Sequence, residues 1–179
     1  LPPVLILLPP SESKMNRHRG KPADPTTWSF PELGPTRARV AQTLAEVSTS
    51  PDAPALLGVS PGLLDDIARN LVLESAPATP AAEVYTGVLY DALDLASLDT
   101  AARRRANRWI VVVSALYGAV RPGDRITAYR LAMGTTLPGV GGLAAAWRPE
   151  LEHVLPGLVG RGVVVDCRSA PYAAAWRPG

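Results

Sequence analysis

Three short segments of the chain place polar and ionisable side chains directly after runs of apolar residues. The first is "LLPPSESK", in which Ser11, Ser13 and Lys14 follow the apolar run VLILL. Two hydroxyls and a lysine could hold a phosphate there, with Glu12 as a base or as the partner of Lys14. No glycine-rich pattern indicates a P-loop, and a solvated loop without a ligand is the competing interpretation.

The second segment, "LYGAVRPGDRITAYRLAMG" over 116–134, brings arginines and tyrosines into one short window. Arg121, Arg125, Arg130 and Tyr129 are its candidate binding residues. A guanidinium group can bind a carboxylate or a phosphate through two parallel hydrogen bonds. The segment is therefore a candidate for a groove that holds a polyanion, for the floor of an active site, or for an elaborate turn.

The third segment, "DCRSAPY", follows the apolar run VVV and contains Asp166, Arg168, Ser169 and Tyr172. In open α/β sheets, ligands bind outside the carboxyl ends of the strands. These side chains could therefore emerge at the same sheet edge as the first segment. A buried Asp166–Arg168 pair that closes the end of the strand explains the same residues equally well.

A fourth segment, "VYTGVLYDAL" over 84–93, carries polar groups next to a glycine. Gly87 permits a turn or a close backbone approach, which would present Tyr85 and Thr86 beside it. Tyr90 and Leu93 are three positions apart on the helix that follows, and we assign both to the core.

Three apolar runs predict the strands that position these segments: VLILL (4–8), WIVVVSAL (109–116) and GVVVDCRS (162–169). Their apolar residues are continuous rather than alternating, which is typical of strands covered on both faces. Helical patterns lie between the runs, so the sequence predicts an α/β fold, a mixed central sheet with flanking helices. Residues 9–35 and 74–82 are rich in proline and predict irregular connections.

Three stretches have helical periodicity. Residues 36–48 place Val40, Leu44 and Val47 on one stripe. Residues 60–75 begin with Ser60 as a predicted N-cap. The apolar positions of that second stretch are Leu63, Leu64, Ile67 and Leu71. Residues 142–155 are helical in pattern but contain Pro149, which predicts a break or a kink.

The composition limits the classes of protein to which this chain can belong. It has 179 residues, of which 47% are hydrophobic and 19% are charged, as expected for one globular domain with its own core. The net charge of +2 gives no strong overall field of the kind that marks a nucleic-acid binder. A single cysteine and the distant His18 and His153 form no metal-binding motif, so neither a metal nor another cofactor is expected. The apolar N-terminal stretch is too short to cross a membrane.

Two other segments could contact nucleic acid. "LPGVGGLAAAW" (137–147) is similar to the hairpin of a helix-hairpin-helix element, whose backbone amides meet a DNA phosphate. A glycine-rich connector is the alternative, because the preceding "AMGTT" is a poor helix former. "RRRANR" (103–108) could bind phosphates or could form a solvated helix face.

Taken in chain order, the motifs resemble the YaaA (peroxide stress protein) family, in the style of its actinobacterial members. They are "LLPPSESK", "SFPEL", "VYTGVLYDAL", "SALYGAVRPGDRITAYRLAMG", "LPG" with a later Trp, and "VVVDCRSAPY". The positions that match by motif are Lys14, Tyr85, Thr86, Gly87, Ser114, Tyr117, Gly118, Arg121, Pro122, Asp124, Tyr129, Arg130, Met133, Gly134, Trp147, Asp166, Ser169 and Tyr172.

The resemblance implies a cytoplasmic protein whose α/β fold contains a helix-hairpin-helix element and a positively charged cleft. It also implies DNA binding and a role in limiting free iron and oxidative damage during peroxide stress. Family members usually continue past the last strand into a basic C-terminal part. The resemblance therefore implies that 1–179 is a single YaaA-like domain without that part.

Two functions follow from these residues. In the first, DNA is bound through its phosphates, without base-specific readout, in a basic cleft. The residues assigned to that cleft are Ser11, Ser13, Lys14, Thr86, Arg121, Arg125, Tyr129, Arg130, Arg168 and Ser169.

In the alternative, an enzyme acts on a nucleotide or another small anionic metabolite. Its candidate catalytic residues are Lys14 as nucleophile or phosphate ligand, Arg130 as anion holder, Asp166 as general base, and Tyr85. A deep, small pocket lined by these residues would favour the enzyme, and a broad open groove would favour DNA.

Overall fold

The three apolar runs lie side by side in a four-stranded sheet of strand order β4-β3-β1-β8, as shown by a computed structural model that describes residues 2–179. β1 pairs in parallel with β3 and with β8, so that Leu7 lies between Val111 and Asp166. β4 is antiparallel to β3. The prediction of a mixed central sheet with flanking helices is therefore confirmed.

The strands and helices have the following bounds. The strands are β1 Val4–Leu8, β2 Thr79–Pro80, β3 Ile110–Ser114, β4 Gly118–Val120, β5 Arg125–Ile126, β6 Thr136–Leu137, β7 Gly141–Gly142 and β8 Val163–Asp166. The α-helices are α1 Gly34–Ser48, α2 Ala53–Leu57, α3 Leu64–Ala68, α4 Ala81–Val84, α5 Val88–Leu93, α6 Thr100–Trp109, α7 Leu143–Val154, α8 Pro156–Val159 and α9 Ala170–Ala173. Single 3-10 turns cover Pro25–Thr27, Pro31–Leu33, Pro61–Leu63, Arg69–Leu71 and Leu95–Ser97.

Burial differs between the strands. Every residue of β3 is buried, as its continuous apolar pattern predicts. In β8, by contrast, Val163 and Val165 are 53% and 43% exposed. The prediction that all three runs are covered on both faces is thus wrong for β8, because no element of residues 2–179 packs fully over these valines. An edge position alone is not the reason, since β4 is the other edge strand and is fully buried.

Helix α1 has the predicted stripe, with Val40, Leu44 and Val47 buried against the core. Ser60 also has the predicted capping role, since its hydroxyl accepts from the Gly62 amide. The segment after Ser60 forms a 3-10 turn, the short α3 and a second 3-10 turn instead of one long helix. Of the four apolar positions predicted in this segment, Ile67 alone is buried, and Leu64 is 60% exposed.

The glycine-rich segment forms a β-hairpin, in which β6 and β7 pair antiparallel and α7 follows at once. Gly139 and Gly141 have φ values of +72° and +88°, which glycine adopts without the strain of a side chain. The chain ahead of this hairpin, over 127–135, is irregular, so the helix-hairpin-helix element is not confirmed.

Helix α7 continues through Pro149 from Leu143 to Val154, so the predicted break does not occur. Pro149 removes one amide donor, and the buried Trp147 and Leu151 hold the helix against the core on both sides of it. Among residues 2–179, no helix has the length and apolar character that crossing a lipid bilayer requires.

Candidate functional site

Lys14 lies beyond the carboxyl end of β1 and is buried, with 7% of its surface exposed. The backbone of Lys14 is fixed against the end of α4. Lys14 forms an isolated antiparallel bridge with Tyr85, the residue after α4, and the Met15 amide donates to the Val84 carbonyl at 2.8 Å. The Nζ atom donates to the carbonyl oxygens of Ser11 at 2.7 Å and Glu12 at 3.2 Å. A flexible cationic side chain is therefore held inside the protein by neutral acceptors.

The charge of Lys14 is poorly compensated. Nζ lies 4.3 Å from the centroid of the Tyr129 ring and 5.9 Å from that of Tyr85, and within residues 2–179 no carboxylate forms an ion pair with it. Burial, and then the positive charge of Arg130, lower the pKa of Lys14 from 10.5 to about 7, against an opposing effect of Asp66. At neutral pH a large fraction of this amine is uncharged.

Three buried hydroxyls lie beside the lysine. The Tyr129 hydroxyl is 2.7 Å from Ser114 Oγ and 2.9 Å from the Tyr85 hydroxyl. Ser114 Oγ also accepts from the amides of Leu116 and Tyr117, at 3.3 Å and 3.2 Å. Burial raises the pKa of both phenols well above the ordinary value, so both stay protonated.

The hydroxyl cluster, which consists of Tyr85, Ser114 and Tyr129, has one more hydroxyl proton than its internal hydrogen bonds use. Ser114 Oγ has two lone pairs, and both accept backbone N–H groups, so its own proton must go to Tyr129. The two hydroxyl–hydroxyl contacts use two of the three protons. One phenolic O–H, on Tyr85 or Tyr129, therefore has no acceptor within residues 2–179.

Arg130 stands next to this cluster and is held through its backbone. Its amide donates to Asn70 Oδ1 at 2.8 Å, and its carbonyl accepts from Asn70 Nδ2 at 2.9 Å. Its guanidinium group contacts Asp66 at 3.4 Å and Glu12 at 4.0 Å, with 17% of the side chain exposed. Asp66 also pairs with Arg69, which donates to the Lys14 carbonyl at 3.2 Å.

The loop residues predicted as ligands serve mainly to shape the loop. Ser11 Oγ donates to the Ser13 carbonyl and accepts from the Thr86 amide at 2.9 Å. The Thr86 hydroxyl donates to the same Ser13 carbonyl at 3.0 Å. Glu12 is a predicted partner of Lys14, but its side chain is 91% exposed and approaches Arg130 instead. These hydrogen bonds connect the first segment (LLPPSESK) to the fourth (VYTGVLYDAL) beside Lys14.

Arg121 and Arg125 lie elsewhere. The Arg121 guanidinium donates to the carbonyls of Asn107 and Arg108 at the end of α6 and stacks 5.2 Å from the Phe30 ring. Arg125 donates to the Ala78 carbonyl at 2.7 Å, beside the β2–β5 pair. Among residues 2–179, neither has a hydrogen bond or an ion pair with Lys14 or Arg130, so the structure does not bring them together with Lys14.

The third segment forms the Asp–Arg pair that was one of its two interpretations, although the Asp166 side chain is 30% exposed. The Arg168 side chain is fully buried, bonds both Asp166 oxygens at 2.8 Å and 2.9 Å, and donates to the Tyr172 and Trp176 carbonyls. The hydrogen bond from Arg168 lowers the pKa of Asp166, which makes this carboxylate a weak base. Ser169 is exposed and makes no side-chain capping bond at the start of α9. These contacts close the end of β8 and occupy the groups that a ligand would need.

Sequence reasoning missed Asp66 and Asn70. Both lie in the stretch interpreted only as an amphipathic helix, and Asn70 is 1% exposed. Asn70 could have been found from its position three residues after Ile67, because a polar residue on an apolar stripe needs a buried hydrogen-bond partner. Asp66 had no comparable signal, because an acid at the start of a helix is common.

Two depressions of the surface are lined by other residues. One, of about 410 Å³, is lined by Arg148, Glu152, Ala174, Trp176 and Arg177. The other, of about 350 Å³, lies between α2 and the 132–136 segment. Neither depression is lined by Lys14 or Arg130.

Comparison with known proteins places these features in a family. Residues 4–179 match the family model described as "Peroxide stress protein YaaA". A UPF0246 protein of Streptomyces coelicolor is 51% identical over 177 residues, covering 98% of this chain and 68% of that protein. A UPF0246 protein of Corynebacterium efficiens is 42% identical over 173 residues, covering 94% of this chain and 68% of that protein. One of Polynucleobacter asymbioticus is 30% identical over 185 residues, covering 98% and 70%.

Proposed function

This chain belongs to the YaaA peroxide stress protein family, and we propose that it is an enzyme that acts on a small anionic metabolite, with Lys14 as its reactive residue. The observation that carries the proposal is the environment of Nζ, which is buried against two tyrosine rings without a carboxylate partner. A lysine kept in this state for stability alone would be costly, because an uncompensated buried charge weakens the fold.

The neighbours of Lys14 supply the other groups that an anionic ligand requires. Arg130 keeps part of its guanidinium group exposed, and its contacts with Asp66 and Glu12 are long for hydrogen bonds. An incoming carboxylate or phosphate can therefore compete for these donors. The spare phenolic proton of the hydroxyl cluster provides a neutral donor close to the same amine.

A single basic cleft for DNA has less support than this small site. Of the arginines assigned to such a cleft, Arg121, Arg125 and Arg168 donate to backbone carbonyls or to Asp166. A guanidinium group engaged in this way is less available to a phosphate. Asp166 is also unsuited to the general-base role predicted for it, because its pKa is lowered by Arg168.

Thermal unfolding in the presence of nucleotides, sugar phosphates and small carboxylates tests the proposal. A ligand that binds the folded state raises the melting temperature by mass action. We expect the shift for at least one of these anions to disappear in Lys14→Met and in Arg130→Met.

Lys21→Met and Arg39→Met are the matched controls, because both residues are exposed and lie outside the site. Both should keep the wild-type shift. The proposal is contradicted if no anion stabilises the protein, or if all four variants respond as the wild type does.

DNA binding remains a second candidate on one observation. Arg104, Arg105 and Arg108 are exposed on α6 at helical spacing, and within residues 2–179 their side chains have no hydrogen bond or ion pair. A free row of arginines is the element that sequence-independent phosphate binding uses.

Fluorescence anisotropy with a labelled duplex, measured over a range of NaCl concentrations, tests this candidate. Replacing Arg104, Arg105 and Arg108 by Gln should reduce the slope of log K against log salt by about 0.9 for each phosphate that the protein no longer neutralises. Lys14→Met should leave the slope unchanged. An absence of salt-dependent binding in the wild type would exclude this candidate.

A further inference from the structure

We infer that Lys14 condenses with the carbonyl group of a small carboxylated ketone or aldehyde, such as a 2-oxo acid, to form a protonated imine. The inference rests on the proposed function and names the substrate class of the same site. It depends on three geometric features, which are the state of Nζ, the spare phenolic proton and the position of Arg130.

The bonding of Nζ suits an attacking amine. A neutral primary amine has two N–H groups and one lone pair, and two carbonyl oxygens, of Ser11 and Glu12, accept from Nζ. These bonds use both protons of the neutral amine and leave the lone pair without a partner. Desolvation, together with a neighbouring cationic group, is the recognised way in which a lysine becomes a nucleophile towards carbonyl compounds.

The hydroxyl cluster suits the oxygen of a carbonyl group. One O–H of the Tyr85–Tyr129 pair has no acceptor within residues 2–179, although both phenols are fully buried. A buried donor without an acceptor is unfavourable, so a carbonyl oxygen placed there would be stabilised. The Tyr129 ring, 4.3 Å from Nζ, then faces the cationic imine and stabilises it electrostatically.

Arg130 is the residue that would bind the carboxylate group of the substrate. Its positive charge acts on Lys14, and its backbone is fixed by Asn70. A carboxylate next to a carbonyl group can accept from Arg130 while the carbonyl carbon lies at Nζ. A phosphate group alone would be served better by a permanently charged lysine, which burial and Arg130 disfavour here.

The reaction is a condensation without a redox change. The Nζ lone pair forms a bond to the carbonyl carbon, the π electrons move to the oxygen, and one amine proton follows them to give a carbinolamine. The C–O bond then breaks, the hydroxyl takes a proton from solvent and leaves as water, and the nitrogen lone pair forms the C=N bond. The products are a protonated imine on Lys14 and one water molecule.

Reductive trapping tests the inference on the full chain. The protein is incubated separately with pyruvate, glyoxylate and 2-oxoglutarate in the presence of sodium cyanoborohydride, and its peptides are then mapped by mass spectrometry. We expect the corresponding adduct of at least one acid on Lys14 and at most a tenth as much on Lys21. The chain has no other lysine, so Lys21 is a control within the wild-type protein and does not depend on the folding of a variant.

Two further measurements identify the roles of the residues. Trapping on Lys14 should increase as the pH rises towards about 7, because the neutral amine is the attacking form, and should fall again at higher pH, because loss of water and reduction of the imine both require a proton. In Arg130→Met, the ratio of the pyruvate adduct to the acetone adduct should fall at least tenfold, because acetone has no carboxylate, whereas the effect of Arg130 on the pKa of Lys14 acts on both adducts alike.

Equal labelling of Lys14 and Lys21, or no adduct on Lys14 with any of the three acids, overturns the inference. If anions still stabilise the protein through Lys14 and Arg130 while no adduct forms, the imine is excluded and the anion site stands. If neither stabilisation nor trapping is observed, the proposed function and the inference both fail.

Discussion

The side-chain amide of Asn70 bonds both polar groups of the Arg130 backbone, accepting from its N–H at 2.8 Å and donating to its C=O at 2.9 Å. Asn70 is 1% exposed, and its Nδ2 also donates to Ser48 Oγ. The two residues are 60 positions apart in the sequence. This one contact therefore fixes the irregular segment that carries Arg130 against the 3-10 turn that follows α3.

Replacing Asn70 by Ala should lower the free energy of unfolding by about 1–3 kcal/mol, because it leaves the Arg130 N–H and C=O without their partner. Urea denaturation measures this change, and the exposed Asn16→Ala is the matched control, with a change within about 0.5 kcal/mol. If both variants lose the same stability, Asn70 does not hold Arg130.

The burial of Lys14 predicts a dependence of stability on pH. The pKa of Lys14 is about 7 in the folded protein and 10.5 when the side chain is exposed, so between these values the unfolded chain binds a proton that the folded chain does not. Stability should therefore rise with pH through this window, and the destabilising effect should be complete below about pH 7. Lys14→Met should remove this rise.

The difference in unfolding free energy between Lys14→Met and the wild type should thus fall by roughly 3–5 kcal/mol from pH 7 to pH 10. Comparing the two proteins cancels the titration of the tyrosines, whose raised pKa values act at the alkaline end. Urea denaturation at a series of pH values gives the curves. Lys21→Met should run parallel to the wild type, and a parallel curve for Lys14→Met would show that Lys14 is not desolvated.

Gly118, at the start of β4, cannot take a side chain. Its φ is +73°, and an added Cβ would lie 2.6 Å from Cζ3 of the fully buried Trp147. Gly118→Ala should therefore cost about 2–5 kcal/mol, from backbone strain and overpacking together. Gly157→Ala, where no atom lies within 4 Å and φ is not positive, should be neutral or slightly stabilising in thermal unfolding. Similar melting temperatures for the two variants would contradict this account.

Arg37 anchors the turn that precedes β4. Its guanidinium donates to the carbonyls of Tyr117, Ala119 and Ser29, each at 2.8 Å, from a buried position on α1. Arg37→Met should lower the unfolding free energy by about 2–4 kcal/mol in urea, because two buried carbonyls and one part-buried carbonyl lose a charged donor. Arg39→Met, on the exposed face of the same helix, should change it by less than about 0.5 kcal/mol. A loss of comparable size in Arg39→Met would mean that the helix and not the three bonds is responsible.

Much of the local structure could be predicted because its cause is local. Continuous β-branched runs specify β1, β3 and β8, and the spacing of Val40, Leu44 and Val47 specifies the buried face of α1. Because the run VLILL predicts β1, the sequence also predicts that Lys14 lies beyond the end of this strand. The exposure of Val163 and Val165 could not be predicted, since it depends on which other elements pack over β8 and not on its own residues.

The sequence by itself determined the three principal strands, the family, and the short segments in which the reactive side chains occur. The tertiary structure alone decided which of those side chains meet: Arg130 joins Lys14, whereas Arg121 and Arg125 bind carbonyls elsewhere. It also decided that Asp66 and Asn70 belong to the site. The physical reason is that strand and helix patterns arise from neighbouring residues, while ion pairing and desolvation depend on groups that are distant in the chain. The lowered pKa of Lys14 is a property of that packing, which no pattern around residue 14 contains.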